Sequence, residues 1–126
     1  MLDDFDPEKF YESYPLKVIS RPGYPARAQY KSTLLWDKYG DLVLKNLGKC
    51  QNYADIGGCF GFGANAMRYQ IFCTQGTYPT TKVFEISPKF VSIGKQLFPY
   101  IEFIKTDFRL YDGVPEVFDL ITLSDI

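Results

Sequence analysis

One glycine-rich run and four acidic residues carry most of the chemical information in this sequence. The run is Asp55-Ile56-Gly57-Gly58-Cys59-Phe60-Gly61-Phe62-Gly63-Ala64-Asn65-Ala66. Glycines at this density let the backbone turn sharply and let a ligand approach the main chain. Placed before a helix, such a turn also aims the first amide N–H groups at an anion or polar ligand. Alone, the run is also compatible with a tight strand-to-helix turn that binds nothing. The acids are Asp55, Glu85, Asp107 and Asp125. Each falls at or just past the carboxyl end of a predicted strand. In open α/β sheets those ends form the crevice where ligands bind, and a carboxylate in the position of Glu85 accepts both hydrogen bonds of a ribose diol. A lone acid there is more often a cap or a solvated loop residue; four in equivalent places point to a site.

The elements that must hold these residues alternate between strand and helix. Asn52 to Ile56 reads as a strand running into the glycine turn, and Ala64 to Cys73 as the helix after it. Thr74 to Thr81 reads as a loop around Gly76 and Pro79, and Lys82 to Ile86 as a second strand. Ser87 is a good N-cap, with Pro88 at the first helical position, where its missing N–H costs nothing. The following helix is expected to bury Phe90, Val91, Leu97 and Phe98 and to end at Pro99. Ile101 to Ile104 and Phe118 to Leu123 read as the third and fourth strands, the last nearly all apolar, as strands covered on both faces are. Such alternation implies a parallel sheet with helical crossovers.

Ahead of this core, residues 1–25 read as an irregular N-terminal arm, because Pro7, Pro15, Pro22 and Pro25 interrupt any long helix. Ala26 to Leu47 then turns helical, with Leu35, Tyr39, Leu42, Val43 and Leu47 forming the apolar stripe and a possible break at Gly40. Arg21, Tyr24, Arg27 and Tyr30 are placed to fold over the mouth of the site; packing of the arm against the first helix is the competing expectation. The division expected is an arm, 1–25, and one partial Rossmann-like domain, 26–126.

Composition narrows the function classes. The chain has 126 residues, 46% hydrophobic and 17% aromatic, which suits one domain with a packed core. Net charge is −1 and pI about 5.4, giving no basic field for nucleic acid. There is no histidine, which removes Ser-His-Asp and Cys-His catalysis and imidazole metal ligation. Cys50, Cys59 and Cys73 contain no C-x-x-C pair, and an odd number suits free thiols in a reducing, cytoplasmic compartment. No signal peptide and no membrane span are read from the sequence, and no metal site is expected.

The order of these motifs resembles a class I, Rossmann-like S-adenosylmethionine (SAM)-dependent methyltransferase. Asp55-Ile56-Gly57 through Gly61 resembles the family's first motif and Phe84-Glu85-Ile86-Ser87 its second. Lys105-Thr106-Asp107-Phe108 resembles the third, and Phe118 through Asp125 the fourth. The resemblance spans Tyr53 to Ile126. It implies a sheet of about four strands in the order 3-2-1-4 and SAM as cofactor. The backbone of Gly57, Gly58, Cys59 and Gly61 would face the methionine part, with Asp55 near its ammonium, directly or through water. Glu85 would hold the ribose, Ile86 would pack on adenine, Asp107 would accept from the adenine amino group and Phe108 would lie beside it. Asp125 would lie near the acceptor and is the only candidate for a catalytic base. Cys59 departs from the pattern, standing where glycine is common, so a reshaped or crowded turn is expected. The family's sheet normally continues past a fourth strand, so the resemblance implies the cofactor-binding half of an enzyme.

The Ile-Gly-Gly form of the turn resembles methyltransferases acting on sugars and other small hydroxyl compounds. A small-molecule acceptor is therefore expected. Gly61-Phe62-Gly63-Ala64-Asn65-Ala66 also matches the G-x-G-x-x-A form of a dinucleotide-binding oxidoreductase. A third alternative is a catalytically incomplete binding or interaction module. In the order 3-2-1-4 the fourth strand is an apolar edge, expected to pair with a second copy, another polypeptide or a C-terminal part.

Overall fold

The computed structural model describes residues 7–107 and 118–124. The expectations for Phe108 and Asp125 lie outside those residues. Two helices, α1 (Pro7–Ile19) and α2 (Tyr24–Leu44), lead into β1 (Asn52–Ile56), α3 (Phe62–Gln75), β2 (Thr80–Glu85), α4 (Pro88–Leu97), β3 (Glu102–Lys105) and β4 (Leu120–Leu123). The four strands form one parallel sheet in the order β3-β2-β1-β4, as the resemblance implies.

The central strands carry the core. Tyr53 and Val83 are buried in one cluster with Met67 and Ile71 of α3 and Phe90 and Val91 of α4, while Ala54, Ile56 and Phe84 form a second cluster with Ile104 and Phe118 packed against it. Backbone bonds from Gly57 N–H to Phe84, from Thr106 N–H to Glu85 and from Ser124 N–H to Ile56 carry the ladder one step past the strands. The tops of neighbouring strands are thereby held level, which is what lines up the residues that follow them. At the lower end, the Asp119 carboxylate accepts from the N–H groups of Gln51 and Asn52 and ties the start of β4 to β1. Those two bonds hold its carboxyl below the ordinary aspartate value.

Three expectations change. The arm is not irregular, since α1 continues through Pro15. A proline inside a helix forfeits one backbone bond, but Pro15 is fully buried, and α1 packs along α4, with Tyr14 edge-on to Phe90. Pro25 sits in the first turn of α2, where it is tolerated, and Gly23 in the left-handed region (φ 72°) makes the corner between the helices.

The second change concerns the buried face of α2. The helix runs unbroken through Gly40 and packs on α3. Gly40 and Leu44 are buried, with Trp36, Val43 and Leu47 packed partly against the core, whereas Leu35, Tyr39 and Leu42 are exposed, Leu42 by 71%. The helix has two apolar faces, and Trp36 with the glycine that admits α3 decides which one turns inward. The third concerns β4. It lies at the edge of the sheet as expected, but it is not covered on both faces, since Ile121 and Leu123 are 48% and 62% exposed.

Candidate cofactor site

The turn between β1 and α3 is built by three residues with positive φ: Gly57 (74°), Cys59 (53°) and Gly61 (97°). Left-handed backbone is nearly free for glycine and costly for other residues. Gly61 is also the N-cap of α3, with no side-chain cap, and a Cβ there would stand 2.6 Å from the Phe103 ring. The first turn of α3 therefore presents its amide N–H groups to whatever occupies the space above it. Cys59 adopts the glycine-like conformation itself. The cost appears as backbone strain at that residue.

Glu85 braces this turn. It is buried at the end of β2. One carboxylate oxygen accepts from Cys59 N–H at 3.0 Å and the other from Ser87 N–H at 2.8 Å. Both bonds orient the carboxylate at the carboxyl end of β2, against the turn it faces. Ser87 Oγ in turn accepts from Phe90 N–H and caps α4, as its sequence position predicts. Ile86 and Asp107 are half-buried beyond the ends of β2 and β3.

Asp55 is placed differently from the others. It is fully buried below the turn, and a Cβ on Gly58 would come within 2.8 Å of its Oδ2. Its Oδ1 accepts from Thr122 Oγ1 at 2.8 Å and from Ser124 Oγ at 2.7 Å. Tyr53 Oη lies 2.7 Å from Thr122 Oγ1. Burial, reinforced by the Asp55 charge, pushes the Tyr53 hydroxyl well above its usual pKa, so it stays protonated. The contacts of Thr122 and Ser124 with Asp55 were not evident from sequence motifs. The sequence signal is a threonine interrupting an otherwise apolar strand, with a serine two residues on.

A cleft of about 560 Å³ opens beside the turn, lined by Tyr24, Ser32, Trp36, Cys59, Gly63 and Ser124 among others. This lies within the roughly 300–1,000 Å³ usual for small-ligand sites. A Cβ on Gly63 would meet only Ser124 Oγ, at 4.0 Å, so the main chain of α3 is open to close approach there. Of the arm residues expected at the mouth, Tyr24 lines the cleft and packs edge-on to Phe60 and Phe62. Arg27 instead donates to the carbonyl of Pro22, and Tyr30 is exposed. These features fit SAM: open backbone and a helix N-terminus for its methionine part, and a carboxylate at the second strand for its ribose. Among the described residues no group of three or more metal-ligating side chains gathers, and no helix is long and apolar enough to cross a membrane.

Comparison of this architecture with solved structures finds the same arrangement in SAM-bound CalS10, an amino pentose methyltransferase from Micromonospora echinaspora. The identity is 14% and the TM-score 0.54, over 97% of this chain and 44% of that one. The chain carries a Rossmann-like fold. Streptomyces venezuelae DesVI superposes with a TM-score of 0.57 at 16% identity, covering 96% of this chain and 44% of its own. The plantazolicin methyltransferase BpumL, in complex with S-adenosylhomocysteine (SAH), gives 0.53 at 15%, over 91% and 46%. The chain thus spans less than half the length of the structures it matches. No protein-family model matches it, and neither does any curated protein.

Proposed function

We propose that this chain, through residues 26–126, is the SAM-binding half of a methyltransferase whose acceptor is a small-molecule hydroxyl or similar group, a sugar among them. The observation that carries this is Glu85, fixed at the top of β2 by the turn it faces, in a sheet of order 3-2-1-4. The sugar reading is supported by the Ile-Gly-Gly turn and by the likeness to an amino pentose methyltransferase. Glu85 holds the ribose, Ile86 packs on adenine, and Asp107 accepts from the adenine amino group with Phe108 beside it. The backbone of Gly57, Gly58, Cys59 and Gly61 faces the methionine part. Asp125 lies at the acceptor and takes a proton where the acceptor must lose one. SAM supplies an activated methyl group; the protein's part is to align the acceptor with it and exclude water.

The dinucleotide alternative is less well supported. The turn from Gly57 to Phe60 separates β1 from Gly61, so G-x-G-x-x-A does not open directly off the strand as that fingerprint requires. Calorimetric titration with SAM, SAH and NAD in parallel tests the proposal. Saturable SAM and SAH binding, weakened at least about ten-fold in Glu85→Ala by loss of a charged hydrogen-bonding group, is expected. Saturable binding of NAD alone would sink it.

A further inference from the structure

Arg68 sits half-buried in the middle of α3, away from the cofactor cleft. Its guanidinium carbon lies 3.9 Å from the centre of the Tyr78 ring and 4.3 Å from that of Tyr100. Both rings are themselves held. Tyr78 stacks on Phe72 with ring centres 4.3 Å apart, and Tyr100 Oη donates to Asn65 Oδ1 at 3.0 Å. The guanidinium is thus fixed by α3, by the loop before β2 and by the loop before β3.

Stacking of this kind uses the faces of a guanidinium and leaves its N–H donors, which lie in its plane, for other partners. Among the described residues no acceptor meets those donors, and Nε is buried without one. Buried donors left unpaired are rare, because each forfeits its bond to water. A strut that only joins the three segments would account for the stacking but not for the idle donors.

The surroundings select the ligand. Arg68 is the one charged residue from Ala64 to Thr81, and residues 96–101 carry none. A phosphate brings about two negative charges at neutral pH and would find a single cation; a carboxylate brings one and matches the planar fork of arginine. Tyr69, Tyr78 and Tyr100 are each about half exposed around it. Tyrosine and arginine together are the residues that dominate binding energy at protein interfaces.

We propose that Arg68, flanked by Tyr78 and Tyr100, receives the carboxylate of an acidic side chain on a polypeptide partner. The stacked rings hold the fork in place before the partner arrives, and the exposed tyrosines take the apolar groups beside that carboxylate.

The test is an NMR titration of the full, nitrogen-labelled chain, read at the Arg68 Nε–H signal. Its probes are a capped tripeptide with glutamate between two leucines, the same peptide with glutamine, and inorganic phosphate. The glutamate peptide should shift the signal saturably and bind about ten-fold more tightly than the glutamine peptide, the scale of one charged hydrogen-bonded pair. Arg68→Lys keeps the charge but lacks the fork, and should lose most of that preference when the amide signals of Tyr78 and Tyr100 are followed. Equal affinity for the two peptides, a preference that survives in Arg68→Lys, or phosphate binding more tightly than the glutamate peptide overturns the proposal. Should Arg68→Lys fail to fold, the comparison of the two peptides on the wild-type chain decides it.

Discussion

Cys59 is the residue where the site and its stability pull apart. Its N–H is a donor that Glu85 needs, but its backbone sits at φ 53°, where a side chain costs about 1–2 kcal/mol. Glycine would relieve that strain while adding about 0.4–1 kcal/mol of unfolded-state entropy to be lost on folding. The difference predicts that Cys59→Gly stabilises the chain by about 0.5–1 kcal/mol, with the Glu85 bond intact. Cys59→Val, β-branched in the same conformation, should destabilise it. Urea unfolding at constant m-value measures both, and a Cys59→Gly midpoint as low as that of Cys59→Val would refute the strain argument. Site residues differed in how far the sequence revealed them. Glu85 was legible because a strand and a cap bracket it. The contacts of Thr122 and Ser124 with Asp55 were not, because they depend on β4 lying beside β1, a pairing between residues distant in sequence.

At the scale of elements, two helical glycines make opposite predictions. Alanine is worth about 0.8–1 kcal/mol over glycine in a helix interior. Gly40 in α2 has room: an added Cβ would stand 3.4 Å from the end of the flexible Gln70 side chain, and Gly40→Ala should stabilise by most of that amount. Gly94 in α4 has none, because the Phe103 ring of β3 occupies the space, so Gly94→Ala should destabilise by about 1–3 kcal/mol despite its propensity. Thermal melts of the pair separate packing from propensity; a rise in both would show that α4 is not seated on β3 in this way. The same competition explains what could be read beforehand. The extent of β1 and the Ser87-Pro88 start of α4 follow from local chemistry and stand as expected. The Pro15 helix and the inward face of α2 depend on tertiary contacts with α4 and α3, which periodicity cannot register.

Over the whole molecule, the motifs marked the strand ends and the resemblance they carry implied the strand order, whose consequence is an open edge. The outer backbone groups of β4 face away from β1, with Ile121 and Leu123 exposed along the strand. Leu35 of α2 lines the same cleft as Leu123, and Tyr39 and Leu42 extend the apolar face of that helix. An exposed apolar edge, even one of four residues, is a template for another strand, and such edges are normally paired or covered. In the chain by itself the available partner is a second copy, so sedimentation should show species heavier than the 14.5 kDa monomer, growing with concentration. Ile121→Lys puts a charge on the edge, the commonest means by which sheets discourage such pairing, and should return the chain to a monomer. Because Ile121 does not line the cleft, SAM affinity should survive the change. A clean, soluble wild-type monomer at high concentration would mean that the edge is not adhesive, and that its exposed residues serve no assembly.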